Sequence, residues 1–267
     1  MGCVSLTPSR LSGDDGRVRS PTDSHACEVV FVAYDGIQSL DLTGPWEVFH
    51  GANSVLADAG SRRPPYRLWL CSTDGRAVGT ESGLAIATTR YDDVPPAHTL
   101  VVPGGFGAWD ASRDDELVGR IAQLGRSVER VVTVCTGASL AAAAGLCDGK
   151  RVTTHWARAA HLHRLYPTVD VDPEPIYVRD GNLWSSAGVT AGIDLALAIV
   201  EHDHGAEVAQ VIARWLVMFL RRPGGQTQFA TPVWTERAEL APIRAAQDLI
   251  DGDPGGDHRV GVLAGRV

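Results

Sequence analysis

Three nearly unbroken apolar runs constrain the fold more than any other feature: Glu28–Tyr34 (Glu-Val-Val-Phe-Val-Ala-Tyr), Thr99–Pro103 and Arg130–Val134. A half-solvated strand would alternate polar and apolar residues. β-branched runs of this length therefore predict strands buried on both faces. Tyr66–Cys71 reads as another strand, and the Gly-punctuated stretch Asp74–Thr88 as short ones. Arg151–Thr154 and two segments around the turn Asp180-Gly181 add further strands. Helical patterns fall between them. Gly44-Pro45 opens a helix carrying Trp46, Phe49, Ala52 and Leu56, with proline tolerated in its first turn. Asp114–Val128, Gly137–Leu146, Trp156–Leu165 and Ala191–Glu201 follow. Glu207–Leu220 shows the stripe Val208, Val211, Ile212, Trp215, Leu216, Phe219. Strands alternating with helices predict an α/β fold, a mostly parallel sheet sandwiched by helices.

Outside this block the pattern fails. Residues 1–27 carry Ser, Gly, Asp and Arg without apolar period and read as a disordered leader. Residues 28–220 form the domain, and 221–267 hold too few apolar positions for a core of their own. With 24 Lys and Arg against 32 Asp and Glu, the net charge of −8 excludes nucleic-acid or anionic-membrane binding by bulk positive charge. No segment has the length of a membrane span, and no secretory signal opens the chain. Five irregularly spaced cysteines form neither a disulfide framework nor a metal motif. The expectation is a cytoplasmic chain with no metal, no cofactor and no membrane partner.

Cys135 carries the chemistry. It ends a buried strand just before a helix opening at Gly137, the layout of a nucleophile elbow. A helix N-terminus there is expected to lower the thiol pKa. The plainer reading is a small buried hydrophobe. Gly104-Gly105 ends the neighbouring strand, where freed N–H groups, with that of Thr136, would form an oxyanion hole or simply turn the chain. Asp41 falls in the first strand–helix connection, either as a proton carrier beside the thiol or as a cap. His161, His163, His202 and His204 read as solvated helix residues, and His155 as a packing residue with a lesser claim on a pocket. Cys71 and Cys147 read as buried fillers.

Asp-Leu-Thr-Gly-Pro-Trp-Glu-Val-Phe from Asp41, Val-Pro-Gly-Gly from Val102, Val-Cys-Thr-Gly-Ala from Val134, Thr-Thr-His-Trp from Thr153 and Ser-Ala-Gly-Val-Thr-Ala-Gly-Ile-Asp from Ser186 together resemble the ThiJ/PfpI superfamily. The resemblance covers residues 28 to about 220 and implies a flavodoxin-like, class I glutamine amidotransferase-like fold. Two subgroups share these motifs: isocyanide hydratases and the N-terminal domains of AraC-type transcriptional regulators. By resemblance Cys135 is the elbow cysteine, Asp41 the acid, and Gly105 and Thr136 the backbone donors. Gly104, Thr190 and the Gly188–Gly192 turn would line the pocket. Arg221–Phe229 (Arg-Arg-Pro-Gly-Gly-Gln-Thr-Gln-Phe) is similar to the linker of an AraC-type regulator. The expectation is a small-molecule-sensing domain, cut short within its DNA-binding part, that takes an amide-like or isonitrile ligand and forms a homodimer. DNA would be a partner only with the missing helix-turn-helix. The alternatives are a cysteine-dependent isocyanide hydratase, a lyase, and a redox-sensitive non-catalytic domain.

Overall fold

The sheet grows from the apolar runs. The computed structural model describes residues 26–62, 64–220, 225, 226, 238, 240–252 and 256–267. The chain begins with β1 (Cys27–Val32), α1 (Ser39–Asp58), β2 (Tyr66–Ser72), β3 (Val78–Gly79), β4 (Ala85–Ile86) and β5 (Thr89–Arg90). Next come β6 (Thr99–Val102), α2 (Ala108–Ala111), α3 (Asp115–Ser127), β7 (Arg130–Val134) and α4 (Gly137–Ala143). Then follow β8 (Arg151–Val152), α5 (Trp156–Leu165), β9 (Asp170–Val171), β10 (Tyr177–Asp180), β11 (Leu183–Ser186), α6 (Ala191–His204) and α7 (Ala206–Trp215). A separate unit begins at Phe229 and contains α8 (Ala241–Gly252) and α9 (Val260–Ala264). Nearly all of the leader, Cys3 included, and most of Arg221–Phe229 lie outside the described residues.

Seven strands pair in the order β10-β11-β7-β6-β1-β2-β5. All pairs are parallel except β10 with β11. β1 is central, and Val29 to Val32 are fully buried. Helices flank the sheet: α1, α6 and α7 pack together, and α3 packs on α4. Strand order reverses between β1 and β6, which marks the carboxyl ends of those strands and of β7 as the place for a ligand crevice. Among the described residues no helix is long and apolar enough to cross a membrane.

Of the boundaries that differ from the sequence expectation, three have a clear local reason. α1 starts at Ser39 rather than Gly44, because the Gln38 side chain accepts the Leu40 N–H at 3.2 Å and caps the helix. Pro45 thus lies inside the helix, and Asp41 sits in its first turn instead of a loop. The strand expected over Arg151–Thr154 stops at Val152, since the Thr153 N–H leaves the ladder for the Ser185 hydroxyl at 2.9 Å. α7 stops at Trp215 rather than Leu220. There the Met218 N–H reaches the Ala213 carbonyl and the Val217 N–H that of Arg214, a Schellman closure with Val217 at φ 56°. The expected stripe is split: Ile212 is buried, whereas Trp215 and Phe219 are exposed.

Candidate functional site

Cys135 follows β7 directly and adopts φ 57°, a strained conformation for a residue with a Cβ. Its N–H donates to the Ser186 carbonyl at 3.0 Å, and its carbonyl accepts the Thr154 hydroxyl at 2.7 Å. Val189, at φ 50°, is the other strained residue here. Strain of this kind collects where surrounding structure holds a group in a working geometry.

Asp41 is fully buried beneath the thiol. Its Oδ1 accepts the Val189 N–H at 2.7 Å, its Oδ2 accepts the Gly104 N–H at 3.1 Å, and it takes the Cys135 S–H. Burial pushes its pKa up to about 6, against the pull of the two N–H donors and the thiol. Thr136 locks the neighbouring strand end: its Oγ1 accepts the Gly105 N–H at 2.9 Å and donates to the Gly105 carbonyl at 3.0 Å.

These contacts reverse the expected thiol chemistry. Burial first, then the Asp41 charge, pushes the Cys135 thiol well above its ordinary value. The backbone and hydroxyl donors of Thr136 pull the other way and lose. α4, seven residues long, supplies too little field to compensate for desolvation.

A cavity of about 570 Å³ opens over the thiol. Cys135, Thr136 and Gly105 line it, as expected of a shared strand-end site. Asp41 and Gly104 lie behind them, with the Gly104 N–H spent on Asp41 and the Gly105 N–H on Thr136. Thr190 is not part of the lining: it is the exposed residue preceding α6, and Val189 takes its place. The opposite wall is α5, through Ala157, Arg158 and His161. His161 therefore leaves the solvated set, with its ring 4.2 Å from that of Trp109. His155 also lines the cavity, and its Nδ1 accepts the Ala157 N–H at 3.3 Å. Sequence reasoning passed over Glu81, whose carboxylate bridges the Gln38 side chain and the Phe106 N–H. The α5 wall had a legible signal. Residues 157 and 161 are i and i+4, and 158 and 161 are i and i+3, on one side of a helix capped by His155.

Asp41 binds its proton more tightly in the folded chain, at about 6 against an ordinary 3.8. Its contribution to stability is thus fully present below pH 4 and lost as pH rises through 6. That gap corresponds to about 3 kcal/mol. The unfolding free energy of the wild type relative to Asp41→Asn should fall by most of that amount between pH 4 and pH 7.5. Urea titrations at a series of pH values measure it, and a flat difference would show that the carboxyl ionises freely.

Residues 27–202 match the DJ-1/PfpI family model. The chain is 36% identical over 189 residues to the isonitrile hydratase of Pseudomonas putida, a match covering 70% of this chain and 76% of that protein. It is 28% identical over 198 residues to the HTH-type transcriptional regulator GbdR of Pseudomonas aeruginosa. That match covers 74% of this chain but 52% of the regulator, so the chain spans about half of this relative's length. Its fold aligns with a ThiJ/PfpI family protein from Pseudomonas syringae at a TM-score of 0.64 and 23% identity, over 93% of this chain and 96% of that one. The family match takes in β1, the Asp41 turn, the Gly104-Gly105 strand end and the strained Cys135; the chain belongs to the DJ-1/PfpI family.

Proposed function

We propose that the Cys135 cavity is the ligand site of a small-molecule-sensing DJ-1/PfpI domain of an AraC-type transcriptional regulator. The carrying observation is that the two glycine N–H donors beside the thiol are already used, which leaves only the Thr136 N–H turned to the sulfur. A site that stabilises developing negative charge needs N–H groups aimed at the reacting atom. Here Gly104 donates to Asp41 and Gly105 to Thr136, while the thiol keeps its proton beside the Asp41 carboxylate. Such a pocket suits binding over turnover. Its ligand would be an amide-like or isonitrile compound, and the domain would act in the cytoplasm as a homodimer, using exposed Trp215, Val217 and Phe219. Contact with DNA would fall to helix-turn-helix segments outside the DJ-1/PfpI domain. Thermal-shift titrations with N-alkylformamides and alkyl isocyanides, with formamide followed in parallel, test this reading. A saturable rise in Tm without formamide production is the expected result. No shift with either compound class would overturn it.

The similarity to an isonitrile hydratase, together with the thiol–carboxylate contact, favours one second reading. In it Asp41 takes the S–H proton and passes it to the isonitrile carbon as sulfur bonds to that carbon, giving a thioimidate. Water adds to the same carbon; the C–S bond then breaks, the thiol regains a proton and an N-substituted formamide leaves. Under this reading formamide accumulates catalytically, and Cys135→Ala lowers kcat/KM by about 10⁴-fold or more. Turnover that survives the substitution would rule the mechanism out.

A further inference from the structure

Gly225 and Gln226 lie beyond the helices and strands that build the sheet domain, yet Gln226 is only 3% exposed. Its Nε2 donates toward the Thr153 hydroxyl at 2.9 Å, the Thr154 carbonyl at 3.0 Å and the Pro175 carbonyl at 3.2 Å. Its Oε1 accepts the Trp156 N–H at 2.9 Å. That N–H opens α5 and has no partner within the helix. The Gln226 N–H donates to the Glu174 carbonyl at 2.8 Å. A Cβ at position 225 would stand 2.5 Å from that same oxygen, so the approach requires glycine. Among side chains only a primary amide brings two donor hydrogens and an acceptor to such a seat.

The seat is the back of the cavity. Thr153 to Trp156 make one corner of the chain. On its other side the Thr154 hydroxyl holds the Cys135 carbonyl, and His155 lines the cavity. Arg158 and His161 continue that wall along α5.

We infer that Gln226 is a positioning residue whose seated amide holds the α5 wall of the Cys135 cavity and couples the state of that cavity to the Gly225-Gln226 segment. The use of this coupling as a signal rests on the sensing reading, whereas the coupling itself does not.

Thiol labelling and hydrogen exchange on the full chain test it. Gln226→Glu turns an acceptor toward the Thr154 and Pro175 carbonyls. Gln226→Ala empties the seat without adding charge and serves if the glutamate variant does not fold. Either should speed iodoacetamide labelling of Cys135 by about fivefold or more. Amide exchange should also rise across residues 154–162. Labelling of Cys71 and Cys147, 0% and 1% exposed, should stay unchanged. A uniform rise at all three thiols would mean general loosening and would overturn the inference, as would unchanged Cys135 labelling. In the reverse direction, saturating the wild-type Cys135 with iodoacetamide should raise exchange at the Gln226 amide; no change there overturns the coupling. None of these readouts needs a ligand. Failure to bind small molecules would therefore remove the sensing reading and leave this inference standing.

Discussion

Arg130→Met should lower the unfolding free energy by about 3–5 kcal/mol, the usual cost of removing one partner from a buried ion pair. Arg130 opens β7 at the end of the sheet away from Cys135. Its guanidinium meets Asp203 of α6 through two bonds, 2.9 Å to Oδ2 and 2.6 Å to Oδ1. Both side chains are nearly buried, at 14% and 6% exposure. The Tyr66 hydroxyl donates to Asp203 at 2.7 Å, and the guanidinium also lies 5.5 Å from the Trp184 ring centre. Burial alone would raise the Asp203 pKa, but the bonds and charge of Arg130 keep it below the ordinary carboxylate value. Methionine fills much of the same space but leaves that carboxylate buried without its bidentate partner, supported mainly by the Tyr66 hydroxyl. The loss is therefore a desolvation cost more than a loss of attraction. The double variant Arg130→Met, Asp203→Leu should recover part of it, because an apolar pair carries no stranded charge although the buried Tyr66 hydroxyl loses its acceptor. Urea midpoints of the single and double variants decide the matter. A double variant no better than the single one would assign the cost to packing. Arg76→Met, which breaks the exposed pair with Asp74, should leave the midpoint where it is.

What could be read from the chain, and what could not, divides along the range of the interactions involved. β1, β6 and β7 were legible because burial on both faces leaves a continuous apolar run, and the turn from β7 into α4 placed Cys135 at a strand end. The start of α1 was not, because the capping group is Gln38, outside the usual Ser, Thr, Asp and Asn set. The end of α7 was hidden for a similar reason: its closure uses Val217 where glycine would be expected. The thiol's electrostatics were out of reach altogether. A helix N-terminus can be inferred from local sequence, but its opponents here are burial and a carboxylate 94 positions upstream, Asp41. Asp41 in turn is fixed by N–H groups 63 and 148 residues away. Glu81 and Trp109 reach the cavity through similarly distant contacts. Gln226 was noticed only as part of a linker-like string, and its seat joins segments 51 to 73 residues upstream.

Gly188→Ala should be a severely damaging small substitution at the site itself. Gly188 has φ 102°, and a Cβ there would stand 2.6 Å from the Cys135 Sγ and 2.7 Å from its Cα. The positive φ costs an L-residue about 1–3 kcal/mol. Overpacking against a wall that cannot move adds about 1–3 kcal/mol more. The wall is fixed because Cys135 is itself in a strained conformation, tied to Ser186 and Thr154. The strain therefore has to relax through the Gly188-Val189 turn, and Val189 supplies one of the two backbone N–H groups on Asp41. Losing that donor raises the Asp41 pKa further, so Asp41 holds its own proton to higher pH. Gly181→Ala separates the two causes: Gly181 has φ 60° with open space around the added carbon. It should cost only about 1–2 kcal/mol and leave Cys135 labelling by iodoacetamide as in the wild type. Gly188→Ala should be less stable than Gly181→Ala and should also shift the pH dependence of that labelling. Equal stability of the two variants would mean that the elbow yields to the added carbon, and the thiol would then be held far less firmly than its contacts imply.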